Sequence, residues 1–518
     1  MNRQYDVIVV GSGNAGMSAA HAARQSGATV AVIDAAPEAE LGGNTWHTAG
    51  AFRFVHDGLD ELRPLIERTS DHRLESTEVP PYPGESYLCD LARMSQGLGN
   101  TSLQRTLVRE SRAAVDWLAE MGMSFELLYE RQSYVVDGRF RFWGGIAAAV
   151  SDGGKGLVAA HLELARSTGV EVFADSPLTR LVVDERGQVN GVEIGGRKPR
   201  TLRCAAVVLA CGGFESDVEQ RRRYLGPEWV NARVRGTRHN TGMGLELARS
   251  IGAAAHGNFR ACHAVAWDVA SGQFGDRELT NRYTRQSYPL GVYVNRDGLR
   301  FVDEGEDFRN YTYATIGRVI LAQPGGVAFQ LFDDRTRPLL KPAEYEMPGV
   351  TEIRADSIEE LARLAGIDPA GLVGTVEAFN AATVTGPYDP TTLDGLGTVG
   401  IDPPKSNWAL PLEQPPFYAF PVTCGITFTF GGLHIDLNAA VLDERQRPIP
   451  GLYAAGEIVG GLFGDGYPGG SGLTAGAVFG RRAGMAAAGH SAAARSSSSS
   501  RHPSGEALVA RPTKNRGK

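Results

Sequence analysis

The sequence contains few cysteines and no long hydrophobic run. Its five cysteines are scattered over 518 residues, and no two of them form a Cys-x-x-Cys pair. This spacing argues against an iron–sulfur cluster, a zinc site and a disulfide framework, so we predict no metal site and a reducing compartment. No apolar stretch reaches the ~20 residues needed to cross a bilayer, and we expect a cytoplasmic protein.

Basic residues do not predominate either. The 52 Lys and Arg residues face 59 Asp and Glu residues, which gives a net charge of −7. Domains that bind nucleic acids are usually basic, so we expect no nucleic-acid partner. Glycine, in contrast, is abundant, because its 65 copies exceed the usual share of ~7%. Many backbone positions therefore need unusual dihedral angles or close approach.

The chain opens with a βαβ pattern. A β-branched run at 5–10 predicts a buried strand, the spacing at 14–25 predicts a helix, and 28–33 predicts a second strand. Such a unit requires a parallel sheet, so the fold class is α/β. Further strands are predicted at 170–174, 178–184, 189–194, 205–210 and 291–295, and helices at 84–97, 102–120, 357–364 and 371–381.

A glycine motif lies between the first strand and the first helix. The residues Gly11, Ser12, Gly13, Ala15 and Gly16 form a G-x-G-x-x-G loop of the kind that binds a pyrophosphate at a helix N-terminus. Asp34 and Ala35 follow the second strand, where a carboxylate can accept hydrogen bonds from a ribose diol. The sequence therefore predicts a dinucleotide site.

Further glycine-rich segments indicate that this dinucleotide is FAD. The segment 41–50 supplies a second loop suited to run beside an isoalloxazine ring, the strand ending at 210–213 can cover the adenine half, and 469–473 opens another helix. The candidate cofactor-binding residues in these segments are Gly42, Gly43, Asn44, Thr45, Ala49, Gly50, Ala210, Gly212, Glu457, Ser471, Gly472 and Leu473.

These patterns predict a Rossmann-type FAD-binding domain that is interrupted by an α+β capping domain. The FAD-binding domain takes residues 1–256, with a helical insertion at about 55–145, and closes with residues 424–490. The capping domain takes residues 257–423. Residues 491–518 contain a five-serine run, and we predict a disordered tail there.

Four longer motifs make a family resemblance specific. They are GGNTWHT (42–48), RGTRHN (235–240), VNRDGLRFVDEGEDF (294–308) and GITFTFGG (425–432). Through them the chain resembles the flavoprotein subunits of the fumarate reductase and succinate dehydrogenase superfamily, and within it the FAD-dependent tricarballylate dehydrogenase group. The resemblance implies an α/β flavoenzyme with a small-molecule carboxylate substrate.

The resemblance also bears on how FAD is held and reoxidised. Several respiratory members attach FAD through a histidine, and that place falls on Asn44 here, so we expect non-covalent FAD with His47 packed near the ring. Because the chain has no cluster-binding cysteines, the resemblance implies a separate electron acceptor, membrane-associated acceptors included.

Candidate catalytic and substrate-binding residues come from the cap and from the C-terminal segment. By resemblance, His263 takes the place of a substrate-binding histidine, and Arg309 lies near the place of a proton-transferring arginine. Arg285 is a further candidate for holding a carboxylate, since bidentate arginine contacts are strong in a desolvated cleft. Thr427 and Tyr467 stand where fumarate reductases carry a histidine and an arginine, which disfavours fumarate or succinate as substrate.

The preferred hypothesis is a dehydrogenase that oxidises a C–C single bond of a small polycarboxylate, tricarballylate to cis-aconitate by resemblance, with hydride transfer to flavin N5. Arg309 and Tyr467 are the candidate proton-transfer groups, and His263 assists. One alternative is a 3-ketosteroid-type dehydrogenase of a cyclic ketone, since Tyr467 resembles a tyrosine of those enzymes. Others are a fumarate reductase-like enzyme on another organic acid and an electron carrier without substrate chemistry.

Overall fold

The computed structural model describes residues 4–66 and 71–499. Its strands are β1 (Gln4–Val10), β2 (Val30–Ile33), β3 (Ala51–Phe52), β4 (Thr77–Glu78), β5 (Phe125–Leu127), β6 (Ser133–Val136), β7 (Arg139–Phe142), β8 (Ala148–Val150), β9 (Glu171–Phe173), β10 (Leu178–Val183), β11 (Val189–Ile194), β12 (Arg200–Leu209), β13 (Arg233–Val234), β14 (Ala255–His256), β15 (Cys262–Asp268), β16 (Val292–Val294), β17 (Val327–Phe332), β18 (Ile353–Ala355), β19 (Phe417–Thr429), β20 (Gly432–Leu433), β21 (Ala440–Leu442) and β22 (Pro448–Ala454).

The helices fall between and after these strands. They are α1 (Asn14–Gln25), α2 (Leu59–Ile66), α3 (Gly84–Ser95), α4 (Thr101–Glu120), α5 (Tyr129–Gln132), α6 (Gly153–Thr168), α7 (Val218–Tyr224), α8 (Met243–Ser250), α9 (Arg309–Leu321), α10 (Pro342–Tyr345), α11 (Ile358–Ala365), α12 (Pro369–Ala382) and α13 (Ser471–Ser499).

The larger sheet has eight strands drawn from both ends of the described chain. Its order is β10-β11-β12-β1-β2-β9, and β22 joins the second half of β12 and pairs with β21. β1 runs parallel to both β2 and β12, in register Val7↔Val30 and Val7↔Ala206. All four residues of β2 are buried, as expected for parallel strands covered on both faces. The predicted α/β fold class is confirmed.

Helix α13 packs closely along α1 because it carries a glycine at every fourth position. A Cβ at Gly480 would lie 2.4 Å from the Ala15 carbonyl oxygen, and one at Gly484 would lie 2.1 Å from that of Ala19. Residues spaced by four lie on one helix face. The stripe therefore allows the two helix backbones to touch, and it fixes the N-terminus of α13 beside that of α1.

A second, six-stranded sheet carries the substrate-facing elements. β19 is its centre, since it pairs with β13, β15, β17 and β18, and β16 extends the sheet from β17. Its core is formed where α11 and α12 pack on it through Leu361, Leu372 and Phe379. The predicted boundary at 423 falls inside β19, and β13, assigned to the first domain, belongs to this sheet. The long buried run of β19 crosses between the two regions without a break.

The segment from 55 to 145 is helical only in part. Besides α2, α3, α4 and α5 it contains β4, β5, β6 and β7. These strands belong to two small three-stranded sheets, β3-β8-β5 and β4-β7-β6, and β3 and β8 lie just outside the segment.

The predicted disordered tail begins inside α13, which continues to Ser499. Within this part of the helix, Ser491 Oγ donates to Asp6 Oδ1 at 2.7 Å. Residues 500–518 lie outside the described residues. Among the described helices, none combines the length and apolarity of a membrane span.

Candidate active site

The glycine loop between β1 and α1 forms one wall of a deep cavity. Gly11 has a φ of +105°, and a Cβ there would lie 2.3 Å from the Ala210 carbonyl oxygen. At Gly16 a Cβ would lie 2.0 Å from the Gly11 oxygen, so α1 could not pack on the loop. At Gly13 the nearest protein atom to such a Cβ is Thr45 Oγ1, 3.4 Å away. The Gly13 backbone is therefore open to the cavity, as a bound pyrophosphate requires.

Asp34 lies at the end of β2 and faces the same cavity. Its Oδ2 accepts hydrogen bonds from the Ser12 backbone N–H at 2.8 Å and the Ser12 hydroxyl at 2.6 Å, and Oδ1 accepts one from the Ala36 N–H at 2.8 Å. Each carboxylate oxygen can accept two hydrogen bonds. Oδ1 therefore keeps an acceptor position for a ribose hydroxyl, while the other contacts fix the orientation of the carboxylate.

Four segments that are distant in sequence meet at this cavity. Asn14 joins the first glycine loop to two of the others, since its backbone N–H donates to Thr45 Oγ1 at 2.9 Å and its Nδ2 donates to the Leu473 carbonyl oxygen at 2.8 Å. Asn44 Nδ2 donates to the carbonyl oxygen of Thr427 at 2.8 Å, which joins the second glycine loop to β19. All five residues line one continuous cavity.

Most of the predicted cofactor-binding residues line this cavity. They are Gly11, Ser12, Gly13, Ala15, Asp34, Ala35, Gly43, Asn44, Thr45, Ala49, Ala210, Gly212, Glu457, Gly472 and Leu473. Gly16, Gly42, Gly50 and Ser471 lie behind it instead. A Cβ at Gly42 would lie 2.6 Å from the Val158 side chain and one at Gly50 would lie 2.7 Å from the Gly153 backbone, while Ser471 Oγ accepts from the Tyr87 hydroxyl at 2.9 Å. These four positions support the cavity wall.

His47 is buried and lines the cavity beside the second glycine loop. Burial lowers its pKa to about 4, and the charges of Arg277 and Arg235 act in the same direction, so the ring is neutral. Its Nδ1 has no hydrogen-bond partner among the described residues. The ring of the neighbouring Trp46 has its centroid 3.7 Å from the guanidinium carbon of Arg277, and its Nε1 donates to the Arg277 carbonyl oxygen at 3.0 Å. The second sheet's connecting loop is thereby tied to this segment.

A pair of buried carboxyl groups lies behind the second glycine loop. Glu215 Oε1 accepts hydrogen bonds from Asn44 Nδ2 at 2.7 Å and Asn240 Nδ2 at 2.6 Å, while Glu457 Oε1 accepts from the Thr429 N–H at 2.8 Å. Burial raises the pKa of both carboxyls, and the charge of Glu215 raises that of Glu457 further. The arrangement favours one proton shared between the two groups.

His263 stands on β15 at the other end of the cavity. It is 1% exposed, and its ring lies against the rings of Tyr313, Phe428 and Tyr467, with centroids 5.0, 5.4 and 4.9 Å away. Neither ring nitrogen has a partner among residues 4–66 and 71–499. Burial, and then the charge of Arg235, hold its pKa well below the ordinary value. A neutral imidazole therefore lines the cavity, and both of its nitrogens are buried without a hydrogen bond to the described residues.

Tyr467 and Tyr313 form a hydroxyl pair next to this imidazole. Their oxygens are 2.7 Å apart, and both residues line the cavity. Burial raises the pKa of each phenol, and for Tyr467 the rise is large. Both groups are therefore protonated at neutral pH, so that one hydroxyl donates to the other and the second can donate to a bound molecule.

Arg309 begins α9 and lines the same end of the cavity. Its Nη1 donates to Gln286 Oε1 and its Nη2 to the carbonyl oxygen of Arg131, and the guanidinium lies 5.3 Å from the Trp143 ring. Its Nε has no partner among the described residues. Burial lowers its pKa. The nearest acid of this group, Glu344, is bonded to Arg131 at 2.6 Å rather than to Arg309.

Arg285 does not reach the cavity. It is 0% exposed and its Nη2 donates to Asp268 Oδ2 at 2.6 Å, while Nη1 donates to the carbonyl oxygens of Arg282 and Thr284, both at 2.8 Å. The expectation that it binds substrate is therefore not supported by its position. A fully buried ion pair of this kind uses the guanidinium for the fold.

Thr427 lines the cavity, and its hydroxyl contacts Arg235, a residue to which sequence reasoning gave no role. Its Oγ1 accepts a hydrogen bond from Arg235 Nη1 at 2.8 Å. Arg235 belongs to the RGTRHN motif, and its side chain is held by Asn281. The cavity residues that sequence reasoning missed include Arg131, Arg235, Asn281, Gln286, Asn310 and Tyr313. Of these, the motif containing Arg235 carried the clearest signal.

The comparisons with known proteins agree with this geometry. The family model described as FAD binding domain matches residues 6–473. The chain is 29% identical to a probable fumarate reductase of Shewanella frigidimarina, covering 93% of this chain and 75% of that protein. It is 30% identical to the 4-oxocyclohexanecarboxylate 2-dehydrogenase of Sinomonas cyclohexanicum, covering 94% of this chain and 93% of that protein. The open conformation of a flavocytochrome c3 fumarate reductase superposes with a TM-score of 0.72 at 27% identity, covering 94% of this chain and 79% of that one.

One cavity runs from a Rossmann-type glycine loop to a group of buried arginines, which is the arrangement of a flavin-dependent oxidoreductase. The chain belongs to the FAD-binding-domain family, and within it to the fumarate reductase group of FAD-dependent oxidoreductases. The prediction of FAD as cofactor and of an oxidoreductase acting on CH–CH groups is confirmed. The structure of a 3-ketosteroid Δ1-dehydrogenase of Sterolibacterium denitrificans, at 22% identity and a TM-score of 0.70, shares the fold.

Proposed function

We propose that this protein is an FAD-dependent dehydrogenase that oxidises a C–C single bond of a small organic acid carrying more than one carboxylate, with tricarballylate, oxidised to cis-aconitate, as the first candidate. The observation that carries the proposal is the charge of the substrate end of the cavity. Arg235 and Arg309, neither of them in an ion pair within the described residues, line it together with the neutral His263 and with Arg131, which is paired with Glu344 at 2.6 Å. Carboxylates are the natural ligands of such a set, since bidentate contacts with arginine are strong where water is excluded.

The acids that line the cavity do not neutralise this end. Asp34 is bonded to Ser12 in the glycine loop, and Glu457 is bonded to Thr429 and has a raised pKa. Arg309 forms no ion pair within the described part of the chain. The cationic end therefore keeps its attraction for an anionic substrate.

The residues present fit FAD. The glycine loop at 11–16 would hold the pyrophosphate, Asp34 the ribose, and the segments at 43–45 and 472–473 the flavin half, all without a covalent bond because Asn44 takes the place of an attachment histidine. The chemistry that FAD supplies when bound is acceptance of a hydride from a substrate carbon. The chain itself must orient the substrate and remove a proton from the neighbouring carbon.

Arg309 is the first candidate for the proton-transfer group. An arginine serves this purpose only where its ordinary pKa, above ~12, is lowered in a dry site. Burial lowers the pKa of Arg309, and Gln286 together with the Arg131 carbonyl fixes the direction of its guanidinium. Tyr467, whose hydroxyl is oriented by Tyr313, is the second candidate, and it ranks below Arg309 because its raised pKa opposes the loss of its own proton that must come first.

A second candidate function is dehydrogenation of a cyclic ketone that also carries a carboxylate. The Tyr313–Tyr467 hydroxyl pair favours it, since a protonated pair can donate to a ketone oxygen while an arginine binds the carboxylate. Two relatives of Sinomonas cyclohexanicum are named as dehydrogenases of such compounds. Reduction of another unsaturated acid in the manner of a fumarate reductase is the third candidate.

The electron acceptor is proposed to be a separate molecule. The relatives include a fumarate reductase described as a cytochrome enzyme and an NADH:fumarate oxidoreductase, so the redox partners differ within the group. The cytoplasm is the proposed compartment, and the five cysteines, all free thiols, fit a reducing one.

One experiment separates these functions. The purified yellow protein is mixed without oxygen with tricarballylate, citrate, succinate, 4-oxocyclohexanecarboxylate or a 3-ketosteroid, and bleaching of the flavin band is followed. We expect tricarballylate to bleach fastest. Bleaching by the cyclic keto acid alone would replace the first candidate by the second, and bleaching by none of the five would reject both dehydrogenase functions.

A further inference from the structure

Arg235 is an unneutralised charge within the protein interior. Its side chain is 7% exposed, it follows β13, and its backbone N–H donates to the carbonyl oxygen of Ile426 at 2.7 Å. Within the described part of the chain, no carboxylate forms an ion pair with it. Burying a guanidinium without a partner is unfavourable, because the charge loses its hydration. Such a buried guanidinium is expected where a bound anion supplies the missing partner.

The contacts of Arg235 leave one part of its guanidinium unused. Nε and Nη2 both donate to Asn281 Oδ1, at 3.0 and 2.7 Å, and Nη1 donates to Thr427 Oγ1 at 2.8 Å. A guanidinium has five N–H groups. Two therefore remain, one on each terminal nitrogen, and the residue lines the cavity. A pair of N–H groups on adjacent nitrogens matches the two oxygens of one carboxylate.

The surroundings of Arg235 are those of the substrate end. Its Nη1 is bonded to Thr427, and the ring of the next residue, Phe428, lies 5.4 Å from the ring of His263 and 5.1 Å from that of Tyr467. Asn281 and Thr427 are neutral, and each gives it an oxygen acceptor without cancelling its charge. Their contacts fix the plane of the guanidinium, which limits the entropy lost when an anion binds.

We infer that Arg235, held by Asn281 and Thr427, forms a carboxylate subsite distinct from Arg309, and that it selects substrates with a second anionic group. The inference rests on the proposed function, which it deepens by assigning one carboxylate to each of two guanidiniums. The alternative occupant of the free N–H pair is an oxygen of the flavin ring.

The test uses the FAD-loaded protein and a titration that does not depend on turnover. Tricarballylate, and an analogue in which one terminal carboxylate is replaced by an amide, are added without oxygen to wild type and to Arg235→Gln whose flavin has been reduced beforehand, so that no acid is oxidised, and the dissociation constant is read from the heat of binding. We expect Arg235→Gln to weaken tricarballylate binding roughly 10- to 100-fold and to reduce the preference for tricarballylate over the amide. The control Arg238→Gln removes a 60% exposed guanidinium three residues away and should change neither value.

The outcomes separate the inference from the proposed function. Wild type that binds none of the acids rejects the function and the subsite together. Wild type that binds them, with Arg235→Gln binding them equally well, rejects the subsite alone, as does a variant that loses FAD affinity while the acid affinity of its loaded fraction is unchanged. Where Arg235→Gln does not fold, Arg235→Lys decides, because it keeps the charge but not the planar pair of donors. Weaker tricarballylate binding by Arg235→Lys supports the subsite, and unchanged binding rejects it.

Discussion

The two ends of the cavity are built by different means. The cofactor end is made of backbone and short side chains in compact motifs, such as the loop holding Gly11 and Gly13 and the acid Asp34. The substrate end is made of long side chains from separate elements, such as Arg235 after β13 and Arg309 on α9. The comparison teaches that compact local motifs build the cofactor end, whereas the other end depends on long side chains that only the tertiary fold brings together.

Substitution of Arg309, the cation on α9, should give the largest difference between the two ends, because turnover falls while flavin binding is retained. In Arg309→Met we expect turnover of the true substrate to fall by about 10³-fold or more, because the candidate proton-transfer group is lost, while the amount of bound flavin stays unchanged. Turnover and flavin absorbance are measured on the same samples. Arg363→Met, a 63% exposed arginine on α11, is the control. A variant with wild-type turnover would remove Arg309 from the mechanism.

The tyrosine pair should show a graded effect. Tyr467→Phe is expected to lower turnover by roughly 10²-fold, and Tyr313→Phe by less, since it orients the other hydroxyl. Both variants should keep their flavin. Tyr224→Phe, whose hydroxyl accepts from Arg249 on the protein surface, serves as the control. Equal activity of all three variants with wild type would show that the pair takes no part in the reaction.

A tolerated substitution in the glycine loop should have the opposite effect: the protein folds normally but binds FAD less tightly. At Gly13 an added Cβ has no protein atom nearer than 3.4 Å, so Gly13→Ala should fold normally. We expect its FAD affinity to fall by about tenfold, or ~1.4 kcal/mol, in a titration of the flavin-free protein. Gly16→Ala is the contrast, because its Cβ would lie 2.0 Å from the Gly11 oxygen and should impair folding. Wild-type FAD affinity in Gly13→Ala would contradict a pyrophosphate at this position.

A further predicted effect is a pH dependence of stability beneath the cofactor end. His21 stacks on His161 at 5.4 Å, and His161 Nε2 lies 3.1 Å from Asn14 Oδ1. Burial lowers the pKa of His21 from 6.5 to about 4. The unfolded chain therefore binds the proton more tightly, so stability is complete above about pH 6.5 and is lost as the pH falls towards 4.

We expect this group to reduce the free energy of unfolding by about 2 kcal/mol between pH 7 and pH 5. Denaturant unfolding at both pH values measures it. His21→Phe keeps a stacked ring but does not titrate, so its loss of stability on acidification should be smaller by that amount. The same pH dependence in variant and wild type would show that His21 is not the group responsible.

The fold could be predicted from the sequence to a large extent, because local patterns decide it. The strand predicted at 189–194 matches β11, and the helix predicted at 102–120 lies within one residue of α4. The predicted domain boundaries match the observed elements less closely, since the boundary at 423 falls inside β19. Nothing in the composition marks β19 as one continuous strand through 423, because a long strand buried on both faces reads like any other apolar run.

Local sequence patterns predicted the cofactor end of the site, whereas His263, Arg309, Thr427 and Tyr467 at the other end were named by family resemblance. Glycine motifs report on their own backbone, so Gly13 and Asp34 were recognisable locally. Arg285 and Arg235 could not be told apart in this way, although Arg285 forms an ion pair with Asp268 away from the cavity and Arg235 lines the cavity. Which arginine is neutralised depends on residues brought close by the tertiary fold, and no local pattern records that.

The most direct test of the account is a crystal structure of the FAD-loaded protein with tricarballylate bound. The account predicts one carboxylate against the free N–H pair of Arg235, a second against Arg309, and the intervening carbons between the flavin and His263. An acid bound elsewhere, or bound at this end with neither guanidinium in contact with a carboxylate, would contradict it.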